Sequence, residues 1–124
     1  MNTYNLLILF LIILLLLLLL INIQRNTEIK TAINITDAKK LLEQNYYDYI
    51  IDVRTEKEWK EGRYPGAIHI PLNKLYEGVK LYELNSRYLI YCETGRRASI
   101  GAELMKQMGF KNVHFLVGNY RLLS

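Results

Sequence analysis

Tyr88-Leu89-Ile90-Tyr91 is a short apolar run of strand type that leads without a break into Cys92-Glu93-Thr94-Gly95-Arg96-Arg97-Ala98. From Arg97 to Met108 the residues Ala98, Ile100, Gly101, Leu104, Met105 and Met108 recur at helical spacing, and Gly109 is placed to cap the helix. The order strand, cysteine, short loop, helix puts a thiol at the carboxyl end of a parallel strand and the amino end of a helix. That is where open α/β sheets bind their ligands.

The free N–H groups of a first helical turn, together with the helix dipole, favour an anion, and a thiolate or a sulfur-bound anion qualifies. Arg96 and Arg97 add two full positive charges, and Gly95 lets the backbone bend so that its N–H groups converge on one point. An isolated free cysteine is commonly just a small buried apolar residue. Here the thiol, the helix start and the arginines coincide, which are the ingredients of an activated nucleophile. Cys92 is the only cysteine of the chain, so an internal disulfide is excluded and a reducing compartment is favoured. Besides it the chain has only His69 and His114, on separate expected strands, so no metal site is expected, and nothing calls for an organic cofactor.

Working outward, Tyr49 to Val53 reads as a strand, Glu56 to Glu61 as a short helical turn stopped by Gly62, and Ala67 to Ile70 as a strand fenced by Pro65-Gly66 and Pro71. Thr36 is the expected N-cap of a helix through Gln44, Asn73 to Leu84 reads as helix with a break near Gly78, and Val113 to Leu116 is the closing strand. The alternation predicts an α/β domain at residues 32–124 with a small, mainly parallel sheet flanked by helices. Asp52 and Arg54 near a strand end are expected to pair with Glu58 as structural support, and both histidines read as structural.

The 124-residue chain carries a formal charge of +4, all of it from Arg25 onward and mixed with acidic residues. With no basic stripe or arm, a nucleic-acid partner is not expected. Leu6 to Ile21 is an unbroken run of Leu, Ile and Phe, so residues 1–23 read as a single transmembrane helix and 24–31 as a polar linker. A cleaved signal would need a basic start and small residues at the exit, and Met1-Asn2-Thr3-Tyr4-Asn5 and Asn22-Ile23-Gln24-Arg25 offer neither. Arg25, Lys30, Lys39 and Lys40 follow the apolar run, which places the domain on the cytoplasmic side.

Three ordered motifs resemble the rhodanese family. Asp52-Val53-Arg54 with Glu58, running on to Glu61-Gly62-Arg63-Tyr64-Pro65-Gly66-Ala67-Ile68-His69-Ile70-Pro71, resembles the family's D-x-R-x-x-x-E stretch and its E-G-H-I-P-G-A-x-x-I-P. Tyr91 to Ala98 resembles its active loop, and Gly109-Phe110-Lys111-Asn112-Val113 through Gly118-Asn119 resembles its closing G-F-x-x-V-x-x-L-x-G-G. The resemblance implies a rhodanese-like fold and a sulfurtransferase that takes sulfane sulfur from a small donor, thiosulfate or another persulfide, to a thiol or cyanide-like acceptor. It makes Cys92 the persulfide-forming nucleophile, Glu93, Thr94, Gly95, Arg96 and Arg97 the substrate-binding loop, and Arg97 the anion-binding arginine.

Three positions depart from the pattern. Glu93 stands where thiosulfate-using relatives often have Arg, which sets a negative charge beside the thiol and disfavours thiosulfate. Arg63 replaces a His at the surface. Asn119 replaces the second Gly of a turn, where its tolerance of the left-handed conformation should keep the turn, and Leu123 lies near the position of a Trp. Two other functions fit less well. A phosphatase or arsenate reductase of the same fold class would need Arg six residues after the cysteine, where Ala98 stands. A non-catalytic binding module at the membrane would have no need of Cys92.

Overall fold

The computed structural model describes the side chains of residues 1–24 and 31–124. The chain divides into two compact units, Met1–Lys30 and Thr31–Ser124. The first belongs to helix α1 (Thr3–Thr31), whose stretch Thr3–Gln24 is long and apolar enough to cross a membrane and buries none of its side chains. Apolar residues on every side of a helix need lipid or a core to cover them. Residues 24–31, expected as a linker, belong to α1, and the side chains of Arg25 and Lys30 lie outside those described.

The second unit is built on a five-stranded parallel sheet of order β1-β5-β4-β2-β3, made from β1 (Ala32–Asn34), β2 (Tyr49–Asp52), β3 (Ile68–His69), β4 (Arg87–Tyr91) and β5 (Asn112–Val117). Between the strands run α2 (Ile35–Glu43), α3 (Glu56–Glu61), a 3-10 turn Leu72–Lys74 continuing into α4 (Leu75–Val79), and α5 (Arg96–Gln107), with a last 3-10 turn at Tyr120–Leu123.

Strand β4 is central and covered on both faces, which is why it reads as a continuous apolar run. Its side chains alternate: Tyr88 and Ile90 enter one core with α4 and α5, and Leu89 and Tyr91 enter the other with α2 and the terminal turn. Helix α5 turns Ala98, Gly101, Ala102 and Met105 inward, with Leu104 and Met108 packed at the edge of that core, whereas Ile100, counted with the apolar set in the sequence, faces outward at 52% exposure. Leu123, near the place of the family's Trp, is buried in the second core beside Leu116 and Tyr120.

Local chemistry fixes several boundaries. Thr55 and Glu58 form a reciprocal capping box at the start of α3, and that helix ends at Gly62 as expected. At α2 the expectation is corrected: Asn34, not Thr36, is the cap, its side chain accepting the Asp37 N–H at 2.8 Å. Of the helix expected over Asn73 to Leu84 only the 3-10 turn and α4 form, and α4 stops at Val79, one residue past Gly78, where the break was expected; a Cβ on Gly78 would stand 2.6 Å from the Ile70 side chain, an approach that suits glycine. Strand β1 has no counterpart in the sequence reading. It is three residues long and is a strand only through pairing with β5.

Candidate active site

The site gathers at the carboxyl ends of β2 and β4, which pair in register with Asp52 opposite Tyr91. Cys92 follows Tyr91 directly and is buried, 1% exposed. Its Sγ accepts the Gly95 N–H at 3.1 Å and the Ala98 N–H at 3.4 Å, so the loop and the first turn of α5 close around the sulfur. Gly95 makes the bend with φ of +103°, and a Cβ there would stand 2.9 Å from the Leu116 carbonyl oxygen. No other residue combines that dihedral with that clearance.

The loop side chains divide sharply. Thr94 and Arg96 are exposed, and among the described residues the Arg96 guanidinium has no hydrogen-bonding or ionic partner. Arg97 is gripped by Glu58 in a two-pronged pair at 2.7 and 2.8 Å. That pair pulls the Glu58 carboxyl down from 4.5 to about 2, against burial and with help from Thr55. The same bond raises the Arg97 pKa, so both groups stay charged at physiological pH. A cleft of about 540 Å³ opens here, lined by Val53, Thr55, Glu56, Leu72, Lys74 and Arg97.

The expected pairing of Asp52 and Arg54 with Glu58 is corrected, since Glu58 turns to Arg97. Arg54 is fully buried and forks onto the fully buried Asp52 at 2.8 to 3.1 Å, with a further bond from Nη1 to Glu93 at 2.7 Å and one from Nη2 to the Gly62 carbonyl. Burial works against the Arg54 charge, but the bonds to Asp52 and Glu93 outweigh it and raise its pKa. Its guanidinium also lies 4.5 Å from the Tyr120 ring centre.

Glu93 does not aim a bare charge at the thiol. Its second oxygen takes Nη1 of Arg121 at 2.8 Å, so two guanidiniums share one carboxylate. Burial of Glu93 raises its pKa, yet the bonds to Arg121 and Arg54 prevail and leave it lowered. Arg121 carries no motif and lies 28 residues further on, so no spacing rule singles it out. Asn119 is extended, at φ of −91°, in place of the left-handed conformation expected of it. Gly118 takes the positive φ, and the Asn119 side chain caps the terminal turn by accepting the Arg121 N–H.

The histidines hold the scaffold. His69 Nε2 meets the Arg54 carbonyl at 2.8 Å and its ring stacks on Trp59, while His114 Nδ1 meets the Tyr47 hydroxyl at 2.7 Å. Among the described residues no group of His, Cys, Asp and Glu is arranged to hold a metal ion.

The chain is 36% identical over 72 residues to YrkF of Bacillus subtilis strain 168, provisionally named a sulfur carrier protein; the match spans 58% of this chain but only 39% of YrkF. It is 31% identical over 87 residues to YtwF of the same organism, provisionally named a sulfurtransferase, covering 70% of this chain and 84% of YtwF. The fold superposes on the human single-domain sulfurtransferase TSTD1 with a TM-score of 0.66 at 23% identity, over 74% of this chain and 93% of the other. The model for the rhodanese-like domain matches residues 34–122, and the chain belongs to that family.

Proposed function

We propose that this chain is a membrane-anchored sulfurtransferase that carries sulfane sulfur on Cys92 as a persulfide. The observation that supports this best is the pair of amide N–H groups, from Gly95 and Ala98, directed at the buried sulfur. In the first step the Cys92 thiolate attacks the outer sulfur of thiosulfate or of a small persulfide. The S–S bond of the donor breaks, and sulfite or a thiolate leaves with the electron pair. In the second step a thiolate or cyanide attacks the outer sulfur of the enzyme persulfide, and Cys92 departs as thiolate. Amide donors and the helix dipole stabilise the anionic sulfur at each stage.

The charges around the sulfur nearly balance, because Glu58 holds Arg97 and Glu93 is shared by Arg54 and Arg121. Of the loop guanidiniums, Arg96 alone lacks a partner among the described residues, and it is the group that meets an anionic donor. The decisive test is intact-mass analysis of the full chain in detergent after exposure to thiosulfate or glutathione persulfide. One added sulfur located on Cys92 supports the reading, and an unmodified chain with both donors refutes it.

Arg97 holds the start of α5 through Glu58 and lines the cleft. Arg97→Ala is expected to keep the fold and lower the rate of sulfur transfer about tenfold, the scale of one lost charge-assisted hydrogen bond. Steady-state kinetics on the variant checks this, and an unchanged rate would remove Arg97 from the loop's working parts.

The apolar stretch Thr3–Gln24 supports a single-pass anchor. In the proposed arrangement the domain faces the cytoplasm. The full chain should stay with membranes through carbonate extraction, with its domain open to protease added from the cytoplasmic side. Release of a shortened, secreted form would show a cleaved signal instead.

A further inference from the structure

We propose that Arg121 is a positioning residue for the sulfur-carrying loop, acting through Glu93. Glu93 is the covalent neighbour of Cys92, and its carboxylate bridges two guanidiniums of different origin. One oxygen is held by Arg54, which the buried Asp52 immobilises beneath the sheet end. The other is held by Arg121 of the terminal 3-10 turn. Arg121 is itself fixed, since Asn119 Oδ1 accepts both its backbone N–H at 2.9 Å and its Nη1 at 3.3 Å, and its guanidinium lies 4.7 Å from the Tyr120 ring centre. The Tyr120 ring in turn packs against Tyr91, the residue before Cys92, with ring centres 4.8 Å apart.

The loop needs such a restraint. Residues 93–95 belong to no helix or strand, Thr94 is exposed, and the Gly95 N–H that reaches Sγ lies only two residues beyond Glu93. Misplacing reacting groups by 1 Å costs up to roughly 100-fold in rate. The Arg121–Glu93 pair is half in solvent, at 49% and 28% side-chain exposure, and pairs of that kind add little to stability. Its effect therefore falls on the geometry of the loop more than on folding.

The inference rests on the persulfide reading, and one set of measurements separates the two. Full-length protein in detergent is loaded with thiosulfate, and the rate of persulfide formation is followed by intact mass for wild type, Arg121→Ala, Arg121→Lys, Glu93→Gln and the double variant Glu93→Gln/Arg121→Ala. Arg121→Ala should lower the maximal rate about five- to tenfold with KM little changed, as expected for lost alignment of the reacting sulfur. Arg121→Lys should recover most of that loss. The double variant should be no slower than Glu93→Gln alone, because both changes cut the same link.

A maximal rate unchanged in Arg121→Ala, or losses that multiply in the double variant, would overturn the positioning role. So would a raised KM at constant maximal rate, which marks direct contact with the anionic donor. A wild-type chain that loads no sulfur from thiosulfate or from glutathione persulfide would overturn the persulfide reading itself.

Discussion

Cys92→Ser is expected to abolish sulfur transfer while the domain stays folded. A hydroxyl at this position cannot displace sulfite from a sulfane sulfur to leave a stable persulfide, so the residual rate should be that of the uncatalysed reaction. The fold should tolerate the change because the serine oxygen can still accept the Gly95 and Ala98 N–H groups that now point at Sγ, leaving no buried donor unsatisfied. The cost should be on the order of 1 kcal/mol, from slightly longer hydrogen bonds and lost sulfur packing. Transfer kinetics and intact mass, run beside thermal unfolding, check both halves. Measurable turnover through the serine variant would place the sulfur elsewhere than on residue 92.

The largest expected loss of stability is at Arg54. Arg54→Ala removes the only cation bonded to the fully buried Asp52 carboxylate among the described residues, and also the bonds to Glu93 and the Gly62 carbonyl. Breaking a buried pair by deleting one partner costs about 3–5 kcal/mol, a large share of the roughly 5–15 kcal/mol that holds a domain of this size together. With about 4–8 °C per kcal/mol for a domain near 100 residues, the melting midpoint should fall by at least about 12 °C. Arg54→Lys should recover only part of this, since an ammonium cannot fork onto Asp52 and reach Glu93 at once. The single tryptophan, Trp59, lies in the domain and stacks on His69, so its fluorescence reports domain unfolding separately from α1. A midpoint within a few degrees of wild type would mean that Asp52 finds another partner or takes up a proton at little cost.

These two effects differ in kind because the two residues sit at different levels of the structure. Cys92 acts through its own chemistry and its place at a strand end. Arg54 acts through contacts to its near neighbour Asp52, to Gly62 past α3 and to Glu93, 39 residues away. Arg121 resembles Arg54 in this respect and differs in being exposed, so its removal should be felt in rate and hardly in the melting midpoint.

Features that rest on neighbours along the chain were legible in the amino-acid order. The apolar run of β4, the helical spacing of α5 and the order strand, cysteine, loop, helix follow from periodicities of two and 3.6 residues, and they place Cys92 at the carboxyl end of a parallel sheet. The span of α3 and its stop at Gly62 were equally legible, because a glycine directly after a short helical run ends it locally. The apolar stretch at the amino end needed only its composition.

The long-range partners of the charged groups came with the folded chain alone. A guanidinium pairs with whichever carboxylate the fold brings within about 3 Å, and that distance carries no imprint of sequence spacing. Glu58 therefore goes to Arg97, 39 residues away, and Glu93 is taken by Arg54 and Arg121 and does not confront the thiol alone. Strand β1 belongs to the same class: three residues are too few to show a period, and they are extended because β5 supplies their hydrogen bonds.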